Sequence, residues 1–256
     1  MKKVVSIFLI TIAIQGTAQT NNPMLENGLS FLGVPYVAGT LEVGEEETLV
    51  VNREQVDCTT FVEYVLAMSL CSSQRDEMQE EEFKRNLLLI RYRDGKIDGY
   101  TSRLHYMSDW INDNVRKGII EDITVGNSSS TITLSLSFMS THPELYKQLA
   151  GSPANVAKMI AYEKALSHTT VYWIPKDKIP AKGFSWIKNG DMIAITTSVP
   201  GLDITHIGIA VYMEDELHLL HASSLKGQVV IGEMPLNEQL KRDKNMSGIR
   251  VLRMKR

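Results

Sequence analysis

One thiol and a group of imidazoles carry the chemistry this chain can be read for. Cys58 stands between Asp57 and the pair Thr59-Thr60, where an extended approach through Val50-Val51 gives way to a helical pattern. A helix N-terminus carries partial positive charge and favours a thiolate. Asp57 opposes that charge unless its carboxylate caps the helix. Free cysteines are usually packed and inert, and Cys71, at the far end of the same helix, fits that description. The polar neighbours of Cys58 do not. A nucleophilic thiol needs a base, and the base needs a group to orient it. Three of the six histidines, His206, His218 and His221, lie on a hairpin over Thr205–Ala222. Side chains alternate across a strand, so His206 shares a face with Gly208, Ala210 and Tyr212, and His221 shares one with Leu217 and Leu219. If Val211 pairs with Glu216, His206 faces His221 directly, and His218 points the other way. A relay follows in which His206 takes the proton of Cys58 and His221 holds the His206 ring. His105 lies in an aromatic, irregular segment; His142 and His168, near helix ends, read as surface or locally satisfied residues.

Two other uses of these residues are weaker. A zinc site wants four protein ligands at close spacing, and the chain has neither Cys-x-x-Cys nor a His pair at helical spacing. A Cys58–Cys71 disulfide would have to join residues held about 20 Å apart by the helix between them, against a limit of about 7 Å. The residues alone thus leave a cysteine hydrolase and a coincidental thiol both open.

The positioning elements follow from periodicity. Asn21–Ser30 reads as a short helix, followed by Phe31-Leu32-Gly33-Val34-Pro35-Tyr36. Glu42–Glu47 is an acidic loop whose charges are expected to be solvated. From Thr59, Phe61, Val62, Val65, Leu66 and Met68 recur at helical spacing, and Phe83–Ile90 suggests a second helix. Arg91–Trp110 is irregular, with Gly95 and Gly99 as turn signals. Thr131–Phe138 alternates as a half-buried strand; Pro143 and Pro153 open two helices. Strands follow at Met192–Ile195, Thr205–Tyr212, Glu216–Ala222, Val229–Ile231 and Ile249–Leu252. Helices first and an antiparallel sheet last is an α+β order.

The chain has 256 residues, with ordinary globular hydrophobic and charged contents of 43% and 22%. Disorder, collagen-like repeats and a dominant coiled coil are excluded. Met1-Lys2-Lys3, the apolar run Val4–Ile14 and Gly16-Thr17-Ala18 have the form of a secretory signal, too short to span a bilayer. Residues 1–18 are therefore expected to be a signal peptide and 19–256 one exported, soluble catalytic domain, periplasmic or extracellular. Net charge is −3, and −5 without Lys2 and Lys3, which argues against nucleic acid. The basic C-terminal stretch, with Lys241, Arg242, Lys244, Arg250, Arg253, Lys255 and Arg256, is expected to be a solvated edge strand and tail. A monomer is the expected state.

Five short motifs now carry a resemblance. Asp57-Cys58-Thr59-Thr60-Phe61-Val62 resembles the Asp-Cys-Ser/Thr-x-Phe-Val signature of NlpC/P60 cysteine peptidases. Gly33-Val34-Pro35-Tyr36-Val37-Ala38-Gly39 resembles their Gly-x-Pro-Tyr-x-x-Gly segment, and Asn189-Gly190-Asp191 their Gly-Asp turn. Thr205-His206-Ile207-Gly208-Ile209 is similar to the His-Val-Gly-Ile strand and Leu220-His221-Ala222-Ser223 to the His-Ala-Ser strand. The order is the family's, over residues 33–223. The resemblance implies a papain-like α+β fold in which the Cys58 helix packs on the sheet carrying His206 and His221. It implies Cys58, His206 and His221 as catalytic residues, Tyr36 and Asp57 near the oxyanion or substrate, peptidoglycan as substrate class, and neither metal nor cofactor.

About 130 residues separate Cys58 from the Gly190-Asp191 turn, more than a minimal domain of that family needs. Within this insert, spanning about 75–185, Tyr100-Thr101-Ser102-Arg103-Leu104-His105-Tyr106 with Trp110-Ile111 resembles the DUF1460 branch, associated with N-acetylmuramoyl-L-alanine amidases. By that resemblance Arg103 would suit a substrate carboxylate, Tyr106 or Trp110 a sugar face, and His105 joins the candidate contacts. The expected reaction is hydrolysis of the amide between N-acetylmuramic or anhydromuramic acid and L-alanine. An endopeptidase cutting after γ-D-glutamate and a non-catalytic peptidoglycan-binding module are the alternatives.

Overall fold

The computed structural model describes residues 22–72 and 76–255; the expected signal peptide lies outside them. Eight α-helices occur in this range: α1 (Pro23–Leu29), α2 (Cys58–Ser69), α3 (Asp76–Arg91), α4 (Met107–Arg116), α5 (Phe138–Thr141), α6 (Lys147–Ala150), α7 (Pro153–Leu166) and α8 (Leu236–Arg242). The strands are β1 (Ile120–Asp122), β2 (Thr131–Thr133), β3 (Thr170–Tyr172), β4 (Ile174–Pro175), β5 (Met192–Thr197), β6 (Ile204–Met213), β7 (Glu216–Ser223), β8 (Gln228–Ile231) and β9 (Met246–Met254). Among the described residues one antiparallel sheet runs in the order β1-β9-β5-β6-β7-β8, with β4 also on β9, and β2 pairs β3 separately. The α+β expectation holds, and no helix of the described residues is long and apolar enough to cross a membrane.

Strand parity divides the sheet into two faces. Ala194, Ile207, Ile209, Leu220 and Ala222 pack with Phe61, Val62, Val65 and Leu66 of α2. Ile193, Ile195, Ala210, Leu219 and Val251 pack with Leu236 and Leu240 of α8. Residues Thr60–Ala67 of α2 are all buried, because α1, α3 and the sheet enclose the helix. Each fully buried Leu, Val or Phe there contributes about 1.5–3 kcal/mol. The insert has its own core, built from Tyr100, Tyr106, Leu134, Leu136, Met139 and Val171.

Several expectations are corrected. The C-terminal stretch does not form a solvated edge: β9 is internal, paired with β5, β1 and β4. Arg250 is buried against Asp122 at 2.7 Å, and Arg253 holds Asp191 at 2.7 Å. Strands β1 and β4 come from the insert, so the insert is woven into the main sheet. The alternation at Thr131–Phe138 is a regular ladder only over β2; beyond it Leu134 keeps backbone bonds to His168 and Thr169, Leu136 makes a single bridge to Gly201 as both enter the insert core, and Phe138 opens α5. Part of the segment read as irregular is helical, since α4 begins at Met107.

Candidate active site

Cys58 is the first residue of α2, and the sequence fixes that start. Asp57 Oδ1 accepts the Thr60 amide at 2.8 Å, while the Asp57 amide donates to Thr60 Oγ1 at 2.9 Å. This reciprocal capping box is worth about 1 kcal/mol. Asp57 is thereby committed to the helix. Its charge, behind desolvation as the larger cause, holds the Cys58 thiol up at about 11. The Thr60 and Phe61 amides are taken by Asp57; among the described residues the Cys58 amide has no acceptor. Both cysteines are free.

Tyr36 is brought to the thiol by backbone pairing. Its amide donates to Gly227 O at 2.9 Å, and the Val37 amide donates to Val56 O at 3.0 Å, two residues before Cys58. Burial first, then the nearby Cys58 and Asp57 charges, raise the Tyr36 phenol.

The two imidazoles meet, by a register different from the simplest one. β6 and β7 turn through Glu214 and Asp215, both at positive φ (48° and 65°), the signature of a type I′ two-residue loop. Met213 then pairs with Glu216, and Ile209 with Leu220. Continued, this register sets His221 opposite Gly208 and makes His206 its diagonal neighbour. The shift is by two residues, so parity and the shared face survive. His206 Nε2 lies 2.7 Å from His221 Nδ1, the rings nearly perpendicular at 89°. Gly208 lets β6 and β7 approach closely beside the pair, since a Cβ there would stand 2.8 Å from Leu219 Cγ and from Leu220 O. Burial pushes His206 down to about 3, with His221 adding to the shift, and burial alone pushes His221 down to about 4. His218 points away and bonds Gly232 O at 2.8 Å.

The sulfur lies near β6 where that strand leaves β7. The β6–β7 ladder ends at Ile209, and the Ile207 amide, beyond it, donates toward the Cys58 sulfur. The thiol therefore lies beside the residue that follows His206. Among the described residues no hydrogen bond joins the sulfur to the His206 ring. The site holds a neutral thiol and neutral imidazoles, an arrangement suited to concerted proton transfer rather than to a preformed ion pair.

The insert residues fare differently. Tyr106 is buried, donates to Glu163 at 2.7 Å and accepts the Met139 amide at 3.0 Å. Trp110 is buried on α4. These two rings are enclosed in the packing and offer no open face to a sugar, which corrects the expectation for both. His105 stacks on Tyr100 at 4.3 Å, and its Nε2 lies 2.9 Å from Tyr100 O. Burial and the Arg103 cation push it down to about 3. Arg103 is buried and engaged by Glu42 at 2.6 Å and Glu47 at 3.3 Å. Glu42 and Glu47 are thus ion-paired, against the expectation of solvated charges, while Glu45 and Glu46 of the same loop are exposed as expected. Sequence reasoning missed the Ile207 amide and these two glutamates. The Asp-x-x-Thr spacing of the capping box was available as a signal; the glutamates gave none, because their partner lies some 60 positions away.

A cavity of about 190 Å³ opens where the insert meets the start of β6, lined among others by Leu134, Leu136, Thr196, Asp203 and Ile204. Ile204 is three residues from Ile207, about 10 Å along a strand. Among the described residues no group of three or more His, Cys, Asp or Glu side chains converges as a metal ion would require.

A family model described as N-acetylmuramoyl-L-alanine amidase-like, AmiA-like, matches residues 26–249. A crystal structure of an N-acetylmuramoyl-L-alanine amidase from Bacteroides uniformis is 56% identical, with a TM-score of 0.90 over 92% of this chain and all of that one. A Bacteroides fragilis structure, provisionally named a xylanase, is 61% identical, with a TM-score of 0.87 over 90% of this chain and all of that one. A Legionella pneumophila protein of the DUF1460 family model, 24% identical, shares the fold with a TM-score of 0.69, over 91% of this chain and 88% of that one. Among curated proteins there is no match.

Proposed function

The chain belongs to the N-acetylmuramoyl-L-alanine amidase-like family, and from that membership we propose that it is an exported cysteine amidase cutting the amide between the muramyl lactyl group and L-alanine in peptidoglycan fragments. The observation that carries the mechanism is the 2.7 Å contact between His206 Nε2 and His221 Nδ1 on the two strands against which α2, opened by Cys58, packs. A thiol at the start of α2, and a bonded histidine pair on the sheet that this helix packs against, are what support the papain-like NlpC/P60 arrangement.

The steps follow from the groups present. For His206 to act as base, its Nε2 carries the proton and donates to His221 Nδ1, leaving His206 Nδ1 basic. Substrate binding brings ring and sulfur together. Sγ attacks the carbonyl carbon as its proton passes to His206, so no free thiolate is needed despite the raised thiol pKa. The Cys58 amide and the Tyr36 hydroxyl receive the oxyanion. The C–N bond breaks as His206 returns the proton to the alanine nitrogen. Water then hydrolyses the thioester with His206 again as base, releasing the lactyl carboxylate and restoring the thiol. The cavity beside Ile204 is large enough for one flanking group of the substrate.

The xylanase name borne by the relative from B. fragilis finds no support at this site. Glycoside hydrolysis commonly uses two carboxyl groups flanking the bond, whereas Asp57 here is committed to capping. The test of the amidase reading is a muropeptide digest read by mass spectrometry. Stem peptides beginning with L-alanine are expected, and Cys58→Ala should abolish their release by about 10⁴-fold or more with the fold retained. Products that keep L-Ala-D-Glu on the sugar would instead mean an endopeptidase, and activity intact in Cys58→Ala would remove the thiol mechanism.

A further inference from the structure

We infer that Arg103 and its surroundings form a seat for a substrate carboxylate, occupied in the free protein by Glu42 of the same chain, which substrate must displace; this rests on the amidase reading above. Arg103 is 6% exposed and is held by two carboxylates that are not equivalent. Glu47 is fixed, with its side chain 4% exposed and the Tyr92 hydroxyl donating to it at 2.7 Å. Glu42 is 27% exposed and lies on a loop bounded by Gly39 and Gly44, at φ 70° and 72°. It meets Arg103 Nη2 through Oε1 alone, and its Oε2 is buried without a partner. A guanidinium edge can hold both oxygens of a carboxylate; Glu42 satisfies half of that geometry.

Other groups around the seat are equally incomplete. The Tyr100 ring lies 4.9 Å from the Arg103 guanidinium, and its hydroxyl is buried and unpartnered. Native proteins seldom leave several buried polar atoms unmatched in one place. Here an arginine whose Nε has only a 3.3 Å ion pair to Glu47 and no hydrogen bond stands with an unpartnered phenol hydroxyl, which suits an incoming anion with two acceptor oxygens.

Charge makes the event an exchange. Glu42, Glu47 and Glu63 stand against Arg91 and Arg103, three carboxylates to two guanidiniums. A fourth carboxylate entering this buried cluster would add repulsion with no new cation, so one must leave. Glu42 is the one on an exposed, glycine-bounded loop. The seat neighbours the thiol: Glu63 is five residues along α2 from Cys58, about 7.5 Å of rise, and the Glu42 loop begins just past Tyr36. The carboxylate proposed for the seat is the one next beyond the released alanine, the α-carboxylate of a γ-linked D-glutamate.

The experiment compares two muramyl tripeptides that differ only there, one with the α-carboxylate of D-glutamate and one with the α-carboxamide. The wild type is expected to favour the carboxylate. Glu42→Gln and Glu42→Ala should each lower KM for the carboxylate substrate by about five- to tenfold, because the resident competitor is gone, and so widen the KM ratio between the two substrates. Arg103→Lys should raise KM for the carboxylate and shrink the preference. Folded Glu42 variants whose KM ratio between the two substrates equals the wild-type ratio would overturn the seat. Failure of the wild type to cut either substrate at the muramyl–alanine bond would instead remove the amidase reading on which the seat depends.

Discussion

Helix α2 carries a buried polar cluster at its start and another one and a half turns further on, and the two handle charge in opposite ways. At the first, Cys58, His206 and His221 are held neutral: burial raises the thiol to about 11 and lowers the rings to about 3 and 4. At the second, Glu63 and Arg91 form an ion pair at 2.7 Å, with both side chains at most 3% exposed, beside Arg103 and its glutamates. Desolvation acts on both, but only the second has opposite charges to oppose it. The neutral cluster keeps lone pairs and protons free to move. The charged cluster is locked, and fixes α2 against α3 and the insert. The proposed chemistry sits where charge is absent in the resting state, and rigidity where charge is matched.

The largest effect expected is loss of the base. His206→Ala should lower kcat by about 10³- to 10⁴-fold, far more than any accompanying shift in the urea unfolding midpoint can explain in a denaturant-free assay. His221→Gln should cost less, about 10- to 100-fold, as expected of a partner that orients the reacting group. If His221→Gln were as damaging as His206→Ala, His221 would be more than an orienting ring, and the proton path would need to include it.

The charged cluster should answer in stability instead. Glu63→Ala leaves Arg91 buried and uncompensated, at a cost of about 3–5 kcal/mol. Replacing the pair together, Glu63→Leu with Arg91→Met, should recover most of that loss, measured by urea unfolding. A double variant as unstable as the single one would mean that the bond from Arg91 to Val50 O, rather than the ion pair, anchors the helix.

The neutral cluster was legible in the sequence and the charged one was not. Cys58 at a helix start, and His206 and His221 on one face of a hairpin, follow from local pattern: a capping residue, a period of 3.6, a period of 2. Even the mistaken register left the pair intact, because the Glu214-Asp215 turn shifted the ladder by an even number. Glu42 and Glu47 looked like solvated loop charges because Arg103, their partner, is remote in the chain. Arg250 and Arg253 looked like a basic tail for the same reason, since Asp122 and Asp191 are distant as well. The segment Leu134–Phe138 alternates because it crosses the insert core, a pattern that burial produces without a regular ladder. Tyr106 and Trp110 carried the right chemistry for a sugar but sit inside the packing, which composition does not reveal.

The smallest expected effect separates the clusters by pH. His105, His206 and His221 titrate near 3, 3 and 4 in the folded protein, against about 6.5 in the unfolded chain. Above pH 6.5 neither state binds these protons. Between 6.5 and about 4 the unfolded chain binds them and the folded protein does not, so stability falls as pH falls, by up to about 1.4 kcal/mol per unit for each histidine. The buried carboxylates act in the other direction. Glu47 and Glu63 are raised, burial being the first cause, so the folded protein takes up their protons before the unfolded chain and gains stability as pH falls. The net slope is therefore a contest between the two clusters. His206→Asn with His221→Asn should flatten the decline between pH 6.5 and 4.5, and Glu63→Leu with Arg91→Met should steepen it, both read from urea unfolding at several pH values. A slope untouched by the histidine substitutions would show that those rings titrate as freely in the folded protein as in the unfolded chain, and the resting site would then be charged rather than neutral at mildly acidic pH.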